Sequence, residues 1–367
     1  MHKHKNLIMT LIIKNSCREK TSRPNSTKLN IIHSKPVLGK LISTLFSLLP
    51  TLLTGCTHSY HDQLTEDIPI TLELRSSDGL VTGDHIDLFT FNNNNLMQLD
   101  SYQRVEYSGN STLNLRSQNG NKRIFAYRNS INNITDWYNL NSYWGLQERY
   151  TELKNEQKNA FSMSGDTEAL AGSYHTCKIN MKPFVSEIQL QSIKCDFTGK
   201  HYEGQSIKEA KAYLINVNAR CSLLYDESTN MEEVINYGEL DEDIMSTFIE
   251  PSLLTQTIGT ITHQTSRPAI RLFCYPNSCS KEGPGTPFTR LVIEGKISGE
   301  TCWWPININR KSDSVEPGIH RNRRYIYNLT LRSKGSSGPD EPIELEDIDI
   351  DMTIKPWNEK QDYSVEF

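Results

Sequence analysis

The hydrophobic positions of this chain fall mostly on a two-residue period. Ile68, Ile70, Leu72 and Leu74 alternate with Pro69, Thr71 and Glu73, the spacing that puts every apolar side chain on one face of a β-strand. Pro69 has no amide hydrogen to donate, which suits the start of a strand or an edge. Similar runs recur at "HIDLFTF", "STLNL", "KRIFAYRN", "VSEIQLQSI", "AKAYLINV", "TRLVIEGKI" and "RRYIYNLTLR", separated by Asn-, Gly- and Ser-rich turns such as "FNNNNL" and "SQNGN". Near the C-terminus Ile348, Ile350, Met352 and Ile354 alternate strictly with Asp347, Asp349, Asp351, Thr353 and Lys355. After "PWNE" a second run sets Tyr363, Val365 and Phe367 against Ser364 and Glu366. Each of these is half of a sheet surface. Residues 134–157 and 228–248 break the period and read as helices or long loops that decorate the strands. The pattern predicts an all-β protein of two packed antiparallel β-sandwiches with minor helical insertions.

One apolar run does not fit a sandwich. Residues 41–53 are apolar or small throughout and follow Lys35 and Lys40. They are too few for the roughly 20 apolar residues that cross a bilayer, and they have the shape of a signal peptide. The run ends in Leu53-Thr54-Gly55-Cys56, which resembles the bacterial lipobox. The expected cut then falls between Gly55 and Cys56, and a lipid on Cys56 tethers the chain. Residues 1–55 become a leader, long for its kind unless translation starts near Val37. The remainder divides into a tether and first strand (56–75), an N-terminal sandwich (76–178) and a C-terminal sandwich (179–367).

Removing the leader changes the charge. It holds nine of the 39 Lys and Arg but one of the 44 Asp and Glu, leaving 30 against 43 and a formal charge of −13. Such a chain repels phosphate backbones, which argues against nucleic acid as a partner; the basic run at 320–324 is short enough to be a solvated face. Cys17 lies in the leader and Cys56 takes the lipid. Cys177, Cys195, Cys221, Cys274, Cys279 and Cys302 remain, an even number that allows 15 disulfide connectivities or plain buried thiols. They contain no C-x-x-C pair and have no nearby histidine pair, so no metal or cofactor is expected. No G-x-S-x-G, H-E-x-x-H or G-x-x-x-x-G-K-[ST] occurs, and "KEGPGTP" reads as a turn; the chain reads as a non-enzyme.

Taken in order, the pieces resemble the fimbrillins, the lipoprotein-derived subunits of the type V fimbriae of Bacteroidetes. The resemblance rests on the lipobox, on "IPITLEL" followed by Arg75, on "HIDLFTFNNNNLMQLDSYQ", on "VSEIQLQSIKCDF", and above all on "IHRNRRYIYNLTLRSKGSSGPDEPIELEDIDIDMTIKPW" with its Tyr-rich strand, Gly- and Pro-containing loop, alternating strand and Trp357. It implies two transthyretin-like sandwiches and transport to the outer membrane as a lipoprotein. It further implies that an arginine-specific protease cuts between Arg75 and Ser76, and that the vacated groove is filled by a donor strand, Ile348, Ile350, Met352 and Ile354, of another fimbrial subunit. Arg75 follows Leu74 directly, where the family often has a few polar residues. An uncleaved anchor or accessory tip subunit is the alternative within this class, with a host or bacterial surface ligand as a further expected partner. A surface glycan-binding lipoprotein is the alternative outside it, with Trp303-Trp304 as its one tempting aromatic pair.

Overall fold

The computed structural model describes residues 68–76, 84–108, 112–128, 137–172, 176–224, 233–310, 316–341, 343 and 347–357. In chain order the strands are β1 (Ile68–Ser76), β2 (His85–Asn92), β3 (Leu99–Glu106), β4 (Thr112–Ser117), β5 (Asn121–Arg128), β6 (Tyr150–Glu152), β7 (Met163–Leu170) and β8 (Cys177–Pro183). They continue with β9 (Ser186–Cys195), β10 (Ile207–Ile215), β11 (Val217–Asn218), β12 (Arg220–Ser222), β13 (Val234–Ile235), β14 (Thr255–Ile261), β15 (Ile270–Cys274), β16 (Arg290–Ile297), β17 (Glu300–Asn307), β18 (Arg323–Leu331) and β19 (Ile348–Pro356). The all-β class expected from the period is what forms.

The first sheet has the order β3-β2-β5-β7-β8-β1-β4. It bends where β7 meets β8 through only two pairs, Met163↔Pro183 and Ser164↔Lys182. Its two halves enclose one apolar cluster: Ile70, Leu72 and Leu74 of β1, Leu115 of β4 and Ile179 and Met181 of β8 on one side, with Ile86, Leu88, Ile124, Ala126 and Met163 on the other. Gly165 sits at the bend because a Cβ there would lie 2.5 Å from the Asn180 carbonyl oxygen.

β2 is buried from Ile86 to Phe91, on both faces at once. Its second face explains why the first insertion is not decoration. Trp137 packs edge-on against Phe89 with ring centroids 4.6 Å apart, Tyr143 packs likewise on Phe91 at 5.5 Å, and Leu140, Leu146, Leu153 and Phe161 are buried with them. The segment is core that lacks a helical period, so it folds only as 3-10 turns at Tyr143–Glu148 and Leu153–Asn155. The second insertion contains one turn of α-helix, Glu242–Met245, begun by the Asp241 side chain accepting from the Ile244 N–H at 2.8 Å. The hydroxyls of Ser246 and Thr247 take the Asp243 and Ile244 carbonyls and end it.

Two four-stranded sheets follow, β14-β10-β16-β17 and β15-β9-β18-β19. Ala212, Leu214, Leu291, Ile293, Trp304 and Ile306 of one and Ile188, Leu190, Tyr325, Tyr327, Leu329 and Leu331 of the other share a single core. Two pairings depart from an antiparallel plan: β1 runs parallel to β8 and β18 parallel to β9. Both join strands distant in sequence, where a long crossover makes parallel pairing possible. β8 pairs with β1 and β7, and the chain passes to the next sheets at Phe184 and Val185.

The six described cysteines are all free thiols. Cys195, Cys221, Cys274 and Cys302 are buried, and burial pushes the Cys221 thiol up to about 12, which leaves it inert at neutral pH. Among the described residues no three His, Cys, Asp or Glu converge to hold a metal ion.

Candidate functional site

β1 is an interior strand whose two ends serve different neighbours. Residues 68–73 pair antiparallel with β4, from Ile68↔Ser117 to Glu73↔Thr112. Residues 72–76 pair parallel with β8, from Leu72↔Cys177 to Ser76↔Met181. Its apolar face is fully committed: Ile70, Leu72 and Leu74 are 2, 0 and 3 % exposed, a burial that contributes roughly 5–9 kcal/mol at the usual value per large aliphatic side chain. Without β1, β4 has no sheet partner among the described residues and β8 loses its outer one, leaving an apolar groove lined by unpaired main chain.

β4 is also fastened to β3. Asp100, in β3, accepts from the Ser117 hydroxyl at 2.7 Å and from the Gln118 N–H at 3.0 Å, and Ser101 donates to the Arg116 carbonyl at 2.9 Å. Asp100 also pairs at 3.0 Å with Lys122, whose side chain is wholly buried and donates to Asn92 Oδ1 at 2.6 Å. Burial opposes ionisation of Asp100, but the hydrogen bonds from Ser117, Lys122 and Gln118, with the Lys122 charge, outweigh it and hold the carboxyl below the usual carboxylate range. Nothing in the local pattern marks these residues. A buried lysine is legible only when its partner is seen.

The sequence-predicted donor residues form β19, an edge strand paired antiparallel with β18 over nine residues, from Leu331↔Ile348 to Arg323↔Pro356. The alternation places Asp349 and Asp351 outward as expected, while the apolar face is covered unevenly: Ile348 is buried, Ile350 and Met352 are half-buried and Ile354 is 42 % exposed. β19 is followed at once by Trp357, buried against Phe161 and Phe273. Arg75 and Ser76 lie within β1, opposite Asn180 and Met181, and not in a loop after it. Gly55, Cys56 and the run 363–367 lie outside the described residues. Trp303-Trp304 is not a platform: Trp304 is fully buried with its indole N–H on the Ser333 carbonyl at 3.0 Å, and Trp303, on edge strand β17, donates to Glu294 at 3.1 Å.

Comparison with solved structures gives this arrangement its setting. A candidate cell adhesion protein from Bacteroides eggerthii is 15 % identical with a TM-score of 0.60, over 80 % of this chain and 96 % of that one. A fimbrilin from Porphyromonas gingivalis is 12 % identical with a TM-score of 0.56, over 80 % and 98 %. The tip fimbrial protein Mfa3 of the same organism, truncated at its C-terminus, is 12 % identical with a TM-score of 0.50, over 79 % and 100 %. The chain therefore has the fold of Bacteroidetes fimbrilins and adhesion proteins along nearly the whole length of each. No protein-family model matches the sequence, and no curated protein sequence matches it.

Proposed function

We propose that this chain is a structural subunit of cell-surface fimbriae, carried to the outer membrane as a lipoprotein through Cys56. It is cut between Arg75 and Ser76 by an arginine-specific protease and polymerised by strand exchange. The observation that carries this reading is that one interior strand, β1, alone bridges β4 and β8, while an edge strand of equal length, β19, bears an alternating apolar face only partly covered. Ile350, Met352 and Ile354 have the i, i+2, i+4 spacing of Ile70, Leu72 and Leu74 and can occupy the same three sites in another subunit. The fold shared with the fimbrilin supports the same role.

The position of Arg75 inside a hydrogen-bonded strand supports a second reading, an uncleaved anchor or accessory subunit that keeps β1 and its lipid. The N-terminus of protein recovered from sheared surface filaments separates them. Ser76 is expected of a polymerising subunit; an acylated Cys56 confined to the membrane fraction identifies the anchor.

A further inference from the structure

Strand exchange sets β19 of one subunit into the place of β1 in another, so the polar faces of the two strands meet the same neighbours. In β1, Ile70, Leu72 and Leu74 face the core, and the odd positions, with Thr71 and Glu73 half-buried, face outward. Two exposed cations stand across from that outer ladder: Arg116 of β4 lies opposite position 69, and Lys178 of β8 lies opposite Glu73. Neither β4 nor β8 contains an acidic residue. Asp166 of β7, which lines a cavity with Lys178 and Lys182, is bound by Arg123 at 2.7 Å and by Tyr143 at 3.2 Å. Glu73 is the one carboxylate of β1, and a cut after Arg75 removes it with the strand.

β19 carries the opposite charge. Asp349 and Asp351 are on its polar side, Asp347 comes immediately before it and Lys355 is near its far end. In its own subunit Asp349 accepts from Arg332 Nε at 2.8 Å, and Asp351 accepts from the neutral Asn328 at 3.2 Å. The apolar face alone leaves the register open by two residues, because either Ile350, Met352 and Ile354 or Ile348, Ile350 and Met352 fit the sites of Ile70, Leu72 and Leu74. The polar face separates the two. With Ile350 at the Ile70 site, Asp349 meets Arg116, but Thr353 meets Lys178 and Lys355 enters position 75, diagonal to both Lys178 and Lys182. With Ile348 at that site, Asp347 meets Arg116 and Asp351 replaces Glu73 opposite Lys178, while Ile354 extends the apolar face to position 76, opposite Met181. Running the strand the other way brings Thr353 or Lys355 opposite Arg116. Opposite charges facing each other on adjacent strands stabilise and like charges destabilise, so one placement of the four satisfies both cations. It takes Asp349 from Arg332 to face Asn114, and that lost pair is largely exposed and of small weight.

We infer that the vacated groove takes β19 of a second copy of this chain, in the direction of β1 and with Ile348, Ile350 and Met352 on the sites of Ile70, Leu72 and Leu74. The contacts of Asp347 with Arg116 and of Asp351 with Lys178 fix that register, an inference that rests on the strand-exchange reading and adds the partner and its alignment. Filaments grown from the full-length precursor after arginine-specific cleavage test it by disulfide cross-linking, since directly opposed strand positions lie within disulfide reach. Lys178→Cys with Asp351→Cys is expected to give a ladder of covalent multimers on a non-reducing gel, against the background of the parent chain with its native thiols. Lys178→Cys with Thr353→Cys should give about a tenth as much or less, because the neighbouring outward position is about 7–8 Å away diagonally. A stronger link at position 353 overturns the register and leaves strand exchange standing. Filaments with neither link above background overturn strand exchange through β19, and the inference with it. Charge reversal tests the cause: Lys178→Glu should slow filament growth roughly three- to tenfold, and adding Asp351→Lys to the same chain should restore it. Thermal midpoints of the uncut variants check that each one folds. Unchanged growth in Lys178→Glu, or no recovery in the double variant, overturns the charge assignment.

Discussion

Among single residues, two carboxylates, Glu156 and Asp100, tie distant segments of the chain together through several hydrogen bonds each. Glu156 is almost wholly buried and accepts from Tyr275 at 2.7 Å, Thr151 at 3.1 Å and the Ser162 N–H at 2.8 Å, so it ties the first insertion to the end of β15. Burial raises its pKa despite those bonds, so the folded state holds the proton more tightly than the unfolded chain. Its contribution is most favourable at acid pH and declines as pH rises through the folded value. Glu156→Ala leaves the Ser162 N–H without this acceptor and should cost about 2–4 kcal/mol in urea unfolding. Asp100 has the opposite sign. Its lowered pKa means stability that is complete above the ordinary aspartate range and is lost as pH falls through the folded value. Asp100→Asn should cost about 3–5 kcal/mol by leaving the buried Lys122 charge unpaired, and its thermal midpoint should fall less steeply than the wild type's between neutral pH and acid.

At the scale of elements, the period-two runs made most of the strands legible, because a half-buried strand writes its geometry directly into the order of side chains. β1 and β19 are the clearest cases, and both are strands. The alternation cannot state which neighbour a strand takes: the parallel pairings of β1 with β8 and of β18 with β9 are set by contacts between distant segments. It also misjudged the first insertion, since Tyr143, Leu146 and Leu153 are core residues without a period. The Asp100–Lys122 pair was illegible because its partners Ser117, Gln118 and Asn92 come from separate stretches of chain. Deleting residues 347–367 should leave a soluble monomer with most of its β content by circular dichroism and no capacity to polymerise, because β19 is an edge strand whose loss opens the flank of β18 and the contacts of Ile348 and Trp357. Unfolding of the truncated chain would show instead that β19 and Trp357 belong to an indispensable core.

For the molecule as a whole, the proposal makes the leader and β1 two successive restraints. Cys56→Ala should leave the precursor without fatty-acid label and out of the outer membrane fraction. Arg75→Ala should keep lipid, fold and membrane location but form no filaments, and normal filaments from that variant would move the assignment to the anchor. The offset pairing of β1 has a mechanical side as well. Its bonds to β4 and β8 lie across the strand axis, so tension on the chain ahead of Ile68 loads them together in shear and does not peel them one at a time. On the proposed reading, a subunit moored by its lipid takes a pull from outside on the very strand that closes its fold, and a cut after Arg75 frees the body from that load while leaving β4 and β8 open to a new partner.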